Sequence, residues 1–535
     1  MAPEIARREA LGQVYTPAPV ADLAIALALE NSGAGARVLD PACGDGVFLA
    51  RAAARGARAF GVEIDPRAAS TARSHTTADV EVADFLTLPP PRDLFDAVIG
   101  NPPYVRQEVV GAAKGRIAAR VAGDWPDGPA VVWSGRADLA AAFVARALRF
   151  VRPGGRVAFV VSAALLEAGY HDVLRRFLAG RGRIAAVVAS PRERWFHDAA
   201  VHGVLLVLER VGERDPTPRP TVCARLRVPV VEAARRVGGL ADLAAVAEVR
   251  LAARGVPLAP LLRAPDAWLR AAAEVPLVPL GALAEVRRGV TSGANSFFYL
   301  TRAAAARAGL EPAVLRPLLR SPRAAPRIAV TAAQLPVVAF VASELSPAAR
   351  TYVAAHGALA SRPTLAAREP WWALPATPAR LFLTKAYHGR YVQPLADAPV
   401  VPDQRFYAVE PRRGVPLELL AAVLNGTLTA LALEALGRAS LGEGALEVSV
   451  GDAARLPVLD PRGLDARAVL AAFAPLALRP TRDAAVEADA PDRGALDAAL
   501  ARAVPPLRPL VPLLGPALAA ASEERRARAH GRIVS

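Results

Sequence analysis

The stretch Asn101-Pro102-Pro103-Tyr104 points most directly to a chemical reaction. It follows an apolar run, residues 94–99, that predicts a buried strand ending at this loop. The side-chain oxygen of Asn101 and the carbonyl of Pro102 can accept two hydrogen bonds from one amino group, which draws electron density toward its nitrogen. Because each proline restricts its own backbone and that of the preceding residue, the loop should be stiff. The pattern predicts a site that acts on the amino nitrogen of a planar group, with Tyr104 stacked on that group.

A glycine turn after an earlier predicted strand is a candidate ligand site. The strand at residues 37–40 ends in Asp40, and Gly44 and Gly46 follow before a predicted helix. In an open parallel sheet, ligands bind at the carboxyl ends of the strands, where glycines let the backbone approach them. A dinucleotide-binding turn would need a third glycine where Leu49 stands. The acidic residue before the turn favours a cationic ligand instead.

The next two predicted strands are also followed by acidic residues. Glu63 ends the second strand, where a carboxylate can accept both hydroxyls of a ribose. Asp84 follows the third strand and can accept the amino group of an adenine, with Phe85 packed on the ring. Together with Asp40, these residues predict a pocket for adenosine that carries a positive group, which is S-adenosylmethionine.

These residues require a parallel sheet with helices on both faces. Residues 1–210 alternate apolar runs with amphipathic helical stretches, which is typical of an α/β fold. The pattern loosens from about residue 216 to 258, and short strands with Pro-rich connections then predict a second domain of mixed type. Residues 460–535 predict helices interrupted by an acidic linker at 487–494. The strands predicted in the first part are 37–40, 59–63, 80–82, 95–99, 156–161, 184–189 and 201–209.

Charge is distributed unevenly along the 535 residues. The net charge of +15 divides into −4 for residues 1–100, +19 for residues 101–400 and zero for residues 401–535. A basic zone is the expected footprint of a polyanion partner, because each neutralised phosphate releases counterions. Codon bias could raise the arginine content everywhere, since Lys114 and Lys385 are the two lysines, but it would not leave the first 100 residues acidic.

Composition argues against membrane, secreted and metal-dependent classes. No uninterrupted apolar run reaches the roughly 18 residues of a membrane span, and the charged start of the chain lacks the apolar segment of a secretory signal. We therefore expect a cytoplasmic protein that does not bind a membrane. Cys43, Cys223 and seven scattered histidines predict neither a disulfide framework nor a metal site.

The chain resembles the γ-class adenine-N6 DNA methyltransferases of the TaqI-like and Eco57I-like group. The likeness lies in DPACGDGVFL, GVEIDP, ADF and IGNPPY, and it extends to residues 12–17, 152–156 and 194–209. It implies a class I S-adenosylmethionine-dependent methyltransferase domain with a Rossmann-like, mostly parallel, seven-stranded sheet. It also implies that the cofactor binds Tyr15, Thr16, Pro17, Asp40, Pro41, Ala42, Cys43, Gly44, Gly46, Glu63, Ile64, Asp84, Phe85, Asn101 and Pro102.

The resemblance implies a second aromatic contact for the target base. Flipping a base out of a duplex costs a few kcal/mol, and one aromatic contact returns about 1–3 kcal/mol, so a second ring is useful. The family places an aromatic residue before its last hairpin, which makes Phe196 the candidate and Trp195 the alternative.

Residues 111–135 show no clear period and predict a mobile loop that closes over DNA, with a plain surface insertion as the other interpretation.

The second half of the chain is needed to identify the acceptor. NPPY also occurs in methyltransferases that act on release-factor glutamine or on the guanine amino group of RNA. Residues 286–298 resemble the opening of a DNA target-recognition domain, and segments after residue 362 resemble its later parts. Candidate DNA contacts are Arg106, Arg287, Arg288, Thr291 and Asn295.

We therefore predict a methyltransferase catalytic domain at 1–245, a mixed α/β target-recognition domain at 246–460 and a helical C-terminal segment at 461–535. The predicted function is methylation of the N6 amine of a flipped-out adenine in double-stranded DNA. Two alternatives stay open: methylation of RNA or a protein glutamine, and a non-catalytic DNA-binding module. A common restriction nuclease core needs an acidic residue two positions before a lysine. In this chain, Ala112 and Leu383 stand two positions before Lys114 and Lys385. We therefore expect a separately encoded endonuclease as the second partner.

Overall fold

A computed structural model describes residues 14–104, 113–125, 139–166, 168–196, 202–212, 219–253, 255–439, 444–529 and 532–533. The chain divides into two compact units, residues 1–263 with 527–535 and residues 264–526. These bounds differ from the predicted ends at 245 and 460. The difference arises because a strand at Ala247–Ala252 completes the sheet of the first unit, while the helices after residue 461 share the core of the second.

The first unit is built on a nine-stranded sheet. Its strands are β1 (Arg37–Asp40), β2 (Arg58–Glu63), β3 (Asp79–Val82), β4 (Phe95–Gly100), β5 (Val151–Ser162), β6 (Gly182–Ala189), the short β7 (Glu193–Arg194) outside the sheet, β8 (Gly203–Arg210), β9 (Thr221–Leu226) and β10 (Ala247–Ala252).

The order in this sheet is β10-β9-β6-β8-β5-β4-β1-β2-β3. Strands β1 to β5 are parallel to their neighbours among themselves, and β8 runs antiparallel to β5 and β6. The seven predicted strands are all present, so the Rossmann-like methyltransferase sheet is confirmed. Two further strands, β9 and β10, lie where the sequence pattern loosens, because the edge strand β10 is only partly buried and carries a weak apolar signal.

Helices cover both faces of the sheet, as parallel strands require. One hydrophobic cluster joins α1, α2, α3 and α7 to the sheet, and a second joins α4, α5, α6 and α9 to the other face. The helices are α1 (Ala18–Leu29), α2 (Val47–Ala53), α3 (Pro66–His75), α4 (Ala113–Asp124), α5 (Leu139–Phe150), α6 (Ala168–Leu178), α7 (Val230–Arg236), α8 (Leu243–Val246) and α9 (Leu258–Arg263).

Helix α4 corrects the prediction of a loop at residues 111–135. Ile117 and Val121 are four residues apart, both are buried, and both pack in the cluster that contains α5. A pair at helical spacing is a short signal, and the glycines and basic residues around it obscured the period. Residues 126–138 lie outside the described part of the chain.

The second unit is a mixed α/β domain, as predicted. Its larger sheet has the order β12-β20-β17-β19-β14-β16-β13, with β15 beside β19. Its strands are β11 (Leu277–Pro279), β12 (Ala284–Arg288), β13 (Tyr299–Thr301), β14 (Leu315–Leu319), β15 (Ala329–Val330), β16 (Val337–Phe340), β17 (Ala379–Thr384), β18 (Ala386–Tyr387), β19 (Leu395–Pro402), β20 (Phe406–Pro411), β21 (Arg438–Ala439), β22 (Leu446–Glu447) and β23 (Pro457–Leu459). The last strand of the chain, β24 (Arg532–Ile533), belongs to the first unit and pairs with β7.

Helices complete the second unit. They are α10 (Asp266–Glu274), α11 (Leu280–Leu283), α12 (Asn295–Phe298), α13 (Arg302–Arg307), α14 (Pro347–Ala355), α15 (Pro363–Ala366), α16 (Leu417–Leu424), α17 (Thr427–Leu436), α18 (Val450–Arg455), α19 (Ala466–Leu478), α20 (Ala484–Glu487), α21 (Pro491–Arg502) and α22 (Val511–Ala529). Within the described residues, no single helix is long and apolar enough to cross a membrane, although the bent pair α16 and α17 passes the length and composition test together.

The predicted acidic linker at 487–494 is part of the folded core. Glu487 is buried and accepts hydrogen bonds from Arg479 at 2.7 Å and from Arg493 at 3.3 Å. Arg479 also binds Asp492, at the start of α21. The acidic run therefore neutralises two arginines, a pairing that composition alone does not reveal.

Candidate active site

Asp40 lies at the end of β1 with its side chain wholly buried. Its Oδ1 accepts a hydrogen bond from the amide of Ala42 at 3.1 Å, whereas Oδ2 is buried and has no hydrogen-bond partner among the described residues. Burial raises the pKa of Asp40 well above its usual value, and the carboxylates of Glu63 and Asp45 raise it further. An unpartnered buried carboxylate oxygen is costly, and a cationic ligand would satisfy it.

Two glycines with left-handed backbone conformations form the turn after Asp40. Gly44 and Gly46 have φ values of +52° and +87°, and Gly46 precedes the first residue of α2. A Cβ on Gly46 would lie 3.1 Å from the Cα of Ala72, so both conformation and space exclude larger residues. A Cβ on Gly44 would lie 3.5 Å from the ring of Tyr15, which places the Tyr15 segment against the turn.

The other predicted cofactor residues near this turn are largely inside the protein. Thr16 is buried, and Pro17 directly precedes helix α1. Pro41 and Cys43 are also buried, and Ala42 is half-buried. The amide of Cys43 donates to the carbonyl of Val62 on β2 at 3.0 Å, and burial raises the pKa of its thiol. These contacts join the turn to the neighbouring strand.

Glu63 connects the end of β2 to the same turn. Its two carboxylate oxygens accept hydrogen bonds from the amides of Gly44 and Asp65, each at 2.9 Å. Burial raises the pKa of Glu63, and these two backbone hydrogen bonds oppose the rise. Because each oxygen keeps a second lone pair, the carboxylate can still accept a ligand hydroxyl. Beside it, the side chain of Ile64 is 55% exposed, which is unusual for an isoleucine and offers an apolar surface to a flat ring.

The structure places Asp84 and Phe85 differently with respect to a ligand. Asp84 is half-buried after β3, and its Oδ1 accepts from the amide of Leu86 at 2.9 Å. Phe85 is 2% exposed and packs on Phe143 and Phe150, with ring centroids 5.4 and 4.8 Å apart. Its ring therefore has no exposed face for the predicted packing on adenine. The chain turns at Asp84, and the next side chain points into the core.

Asn101 follows β4 at the same edge of the sheet. Its Nδ2 donates to the carbonyl of Val14 at 2.9 Å, while Oδ1 is buried with no hydrogen-bond partner among the described residues. Gly100 has a φ of +147°, and a Cβ there would lie 2.5 Å from Oδ1 of Asp40. The candidate catalytic loop, residues 101–104, thus begins directly against the acid that ends β1. Pro102 is buried within it.

Tyr104 is the aromatic residue of the catalytic loop and meets Phe196. The Tyr104 hydroxyl donates to the carbonyl of Val160 at 3.3 Å, and its ring stands edge-on to that of Phe196 with centroids 5.9 Å apart. Phe196 and Trp195 are 1% and 2% exposed. Both rings crowd Gly203, where a Cβ would lie 2.7 Å from Phe196 and 3.5 Å from Trp195. The structure brings Phe196 to Tyr104, but with its ring buried.

The predicted DNA contacts fall in different surroundings. Arg287 and Arg288 are adjacent on β12 and therefore point to opposite faces. The Nε of Arg287 lies 3.9 Å from Oε1 of Glu285, whereas Arg288 is exposed. Thr291 binds Gln404 at 3.4 Å, and the Asn295 side chain accepts a hydrogen bond from Ser292. Arg106 lies outside the described residues.

Two groups that shape this site carry little or no signal in the sequence. The Val14 carbonyl, which holds Asn101, is a backbone atom and carries no side-chain signal. Arg146 is wholly buried beneath Phe85, and its signal was a lone charge on the apolar face of α5. In the described part of the chain, no three His, Cys, Asp or Glu residues come together as metal ligands would.

The ends of four parallel strands together define a class I methyltransferase domain. They carry the glycine turn after β1, the acids at β2 and β3, and the amide-bearing loop after β4. Two family models match the chain: "N-6 DNA Methylase" at residues 4–222 and "Type II methyltransferase M.Eco57I, C-terminal domain" at residues 265–479. These matches confirm the resemblance to Eco57I-like type II methyltransferases read from the motifs of the chain.

Individual relatives agree with this assignment. A type II methyltransferase of Thermus thermophilus is 38% identical over 196 residues, which are 34% of this chain and 41% of that protein. Type II methyltransferase M.XamI of Xanthomonas campestris pv. amaranthicola is 31% identical over 311 residues, 54% of this chain and 53% of that protein. The chain therefore spans about half the length of the curated relatives that it matches.

A solved structure shows the same fold over most of the chain. The Type IIL restriction-modification enzyme MmeI, determined in complex with DNA, aligns with 91% of this chain and 70% of its own at 15% identity. The TM-score of 0.52 supports a shared fold.

Proposed function

We propose that this protein methylates the N6 amine of adenine in duplex DNA with S-adenosylmethionine as methyl donor. The observation that carries the proposal is the buried, unpartnered Oδ1 of Asn101 at the end of β4. The Val14 carbonyl holds the Nδ2 atom of the same amide, so the direction of the free oxygen is set before substrate arrives. A fixed acceptor of this kind is suited to an amino hydrogen of a planar base.

The residues around the glycine turn fit the methyl donor. The unpartnered Oδ2 of Asp40 suits its positive charge, and Glu63 keeps lone pairs for its ribose hydroxyls. Asp84 would hold the adenine amine, and the exposed Ile64 would pack on the ring in place of Phe85. When bound, S-adenosylmethionine would supply a methyl group on a sulfonium, whose carbon can bond to a nitrogen nucleophile as the bond to sulfur breaks and S-adenosylhomocysteine leaves.

The chain activates and positions the acceptor nitrogen. Asn101 Oδ1 and the Pro102 carbonyl would each accept one amino hydrogen, which increases electron density on the nitrogen. The adjacent prolines hold these two acceptors in place, and good alignment of reacting groups can contribute about 7–11 kcal/mol. The amino proton becomes acidic once the nitrogen carries the methyl group, so no strong base is required.

An adenine in a duplex must leave the helix to reach this loop, at a cost of a few kcal/mol. Stacking on Tyr104 would return about 1–3 kcal/mol. Phe196 already meets the Tyr104 ring edge-on, so it is the proposed second aromatic group of the base site. To contact the base face directly, its buried ring would have to shift.

Duplex DNA would bind a basic patch at one end of the larger sheet of the second unit, formed by Arg288, Arg320, Lys385 and Arg405. The amide of Lys385 donates to the carbonyl of Arg405 at 2.9 Å, and the Arg405 guanidinium donates to the carbonyl of Arg320 at 3.3 Å. Arg288, Arg320 and Arg405 are exposed. Thr291 lies beside them through Gln404. Basic residues at one end of a sheet, three of them exposed, suit contacts with phosphates.

Methyl transfer to three acceptors tests the proposal. Purified protein is incubated with S-adenosylmethionine carrying a labelled methyl group and with duplex DNA, ribosomal RNA or a release factor. We expect label in DNA, recovered as N6-methyladenine by mass spectrometry of nucleosides. Label in RNA or in protein glutamine would establish the first alternative. DNA binding without transfer to any acceptor would establish a non-catalytic module, and methylation-sensitive sequencing of active preparations would identify the target site.

A separately encoded restriction endonuclease is the proposed second partner. The support is that the matched relatives are named type II methyltransferases, and that the two lysines lack the acid-x-lysine spacing of a common nuclease core. Expressing the chain together with a candidate restriction endonuclease should protect host DNA from cleavage, and continued cleavage by every such enzyme would contradict this proposal.

A further inference from the structure

Arg146 is a wholly buried arginine on α5. Charged side chains are almost never fully buried unless they are paired. Its guanidinium donates from Nη1 to the carbonyl of Phe85 at 2.7 Å, from Nη2 to the carbonyl of Leu88, and from Nε to Oδ2 of Asp124 at 2.9 Å. Three partners on two other segments therefore meet at one planar group.

One of the two segments contains a residue of the proposed cofactor site, and the other follows the catalytic loop along the chain. The carbonyls belong to the turn at residues 84–88, which begins with Asp84 and is called the adenine turn below. Asp124 is the last residue of α4, the helix that follows the catalytic loop along the chain. Arg120 of α4 donates to the Leu88 carbonyl as well, at 3.1 Å. One guanidinium thus joins the adenine turn to α4.

The surroundings of Arg146 indicate that an arginine stands here for the directions of its hydrogen bonds rather than for a gain in folding stability. Its guanidinium lies 5.4 Å from the ring centre of Phe85 and 5.3 Å from that of Phe150. Burial lowers the pKa of Arg146, and the carboxylates of Asp124 and Asp84 oppose this. A buried ion pair is often no more stabilising than apolar packing. A planar guanidinium, however, presents its donors in fixed directions to two carbonyls and a carboxylate, whereas the three donors of a lysine ammonium rotate about a single nitrogen.

We propose that Arg146 is a positioning residue that holds the adenine turn in its cofactor-binding shape and couples its occupancy to α4. It acts through the backbone of that turn and through Asp124. The inference rests on the proposed function, because it requires an adenosine ligand at Asp84. It adds a route by which cofactor binding orders α4, the helix that follows the catalytic loop along the chain.

Binding of S-adenosylhomocysteine to the full-length protein tests the positioning role. In the Arg146→Lys variant, the affinity for S-adenosylhomocysteine, measured by calorimetry, should fall about tenfold because hydrogen bonds are lost. The KM for S-adenosylmethionine should rise by a similar factor, with a smaller change in kcat. Arg156→Lys is the matched control. Arg156 is also buried, donates to the Leu27 carbonyl at 2.8 Å and pairs with Glu30, far along the sheet from the adenine turn. It should lose thermal stability without losing ligand affinity.

Hydrogen exchange of residues 113–124 tests the coupling. S-adenosylhomocysteine should slow exchange there in the unaltered protein but not in Asp124→Asn, which keeps the Arg146 bonds to the adenine turn and therefore most of the affinity. Equal affinities in Arg146→Lys and Arg156→Lys would overturn the positioning role, and unchanged exchange in the unaltered protein would overturn the coupling. Failure of the unaltered protein to bind the ligand would instead refute the proposed function itself. If Arg146→Lys does not fold, the exchange experiment with Asp124→Asn still decides whether the cofactor site is coupled to α4.

Discussion

Replacing Asn101 by alanine separates catalysis from folding and from DNA binding. The change removes the free Oδ1, which is the proposed acceptor of an amino hydrogen, and the Nδ2 bond to Val14. It leaves the prolines, Tyr104 and the whole second unit unaltered. We therefore expect methylation to fail while the protein still folds and binds its DNA.

The structure allows the two losses to be estimated separately. The bond from Nδ2 to the Val14 carbonyl is 2.9 Å long and partly buried, so its removal should lower the free energy of unfolding by about 0.5–1.5 kcal/mol. Removal of one preorganised hydrogen-bonding group from a reaction site costs about 10²–10³ in kcat, or roughly 2.7–4 kcal/mol. The catalytic loss should exceed the loss of stability severalfold when both are expressed as energies.

Single-turnover methylation of duplex DNA measures the first quantity, and urea denaturation measures the second. Asn31→Ala is the matched control, because Asn31 is exposed on the turn after α1 in the same unit. DNA affinity in a gel-shift assay should be unchanged in both variants. Methylation by Asn101→Ala within a few-fold of the unaltered protein would contradict the proposed role of Asn101. A fall in activity only in proportion to the unfolded fraction would do the same.

Three further predictions concern Asp40, the basic patch and Gly100. Burial raises the pKa of Asp40, so its contribution to stability is complete at low pH and is lost as the pH rises above about 4 through the raised pKa. The Tm of Asp40→Asn should therefore rise relative to that of the unaltered protein between pH 5 and 8. The same variant should bind S-adenosylhomocysteine more weakly. A flat difference in Tm across that range would contradict this. Arg288→Ala with Arg405→Ala should reduce the salt slope of DNA binding by about 0.9 per lost phosphate contact in fluorescence anisotropy, whereas Arg287→Ala should not; equal slopes would remove the patch from the interface. Gly100→Ala should lower the free energy of unfolding, measured in urea, by roughly 1–3 kcal/mol, because its Cβ would lie 2.5 Å from Oδ1 of Asp40. Gly115→Ala on α4 has open space around it and should not lower this free energy. Unaltered stability in both variants would refute the close packing at Gly100.

The sequence was sufficient for the strands, the acids that end them and the loop after β4. Apolar runs and glycine turns are local signals, and carboxyl ends of parallel strands must meet at one edge of a sheet, so Asp40, Glu63, Asp84 and Asn101 could be placed together in advance. The edge strand β10 and helix α4 were missed for the converse reason, since a half-exposed strand and a short apolar pair carry little periodic signal.

Tertiary structure alone decided which atoms remain free to act. The Asn101 oxygen is available because a backbone carbonyl 87 residues earlier in the chain binds its nitrogen, and no pattern of side chains encodes that contact. Packing likewise turned Phe85 into the core and left Ile64 exposed. It also buried Arg146 between the adenine turn and α4. Residue types set the chemistry that is possible, whereas contacts between distant segments determine which groups are already satisfied and which can bind a ligand.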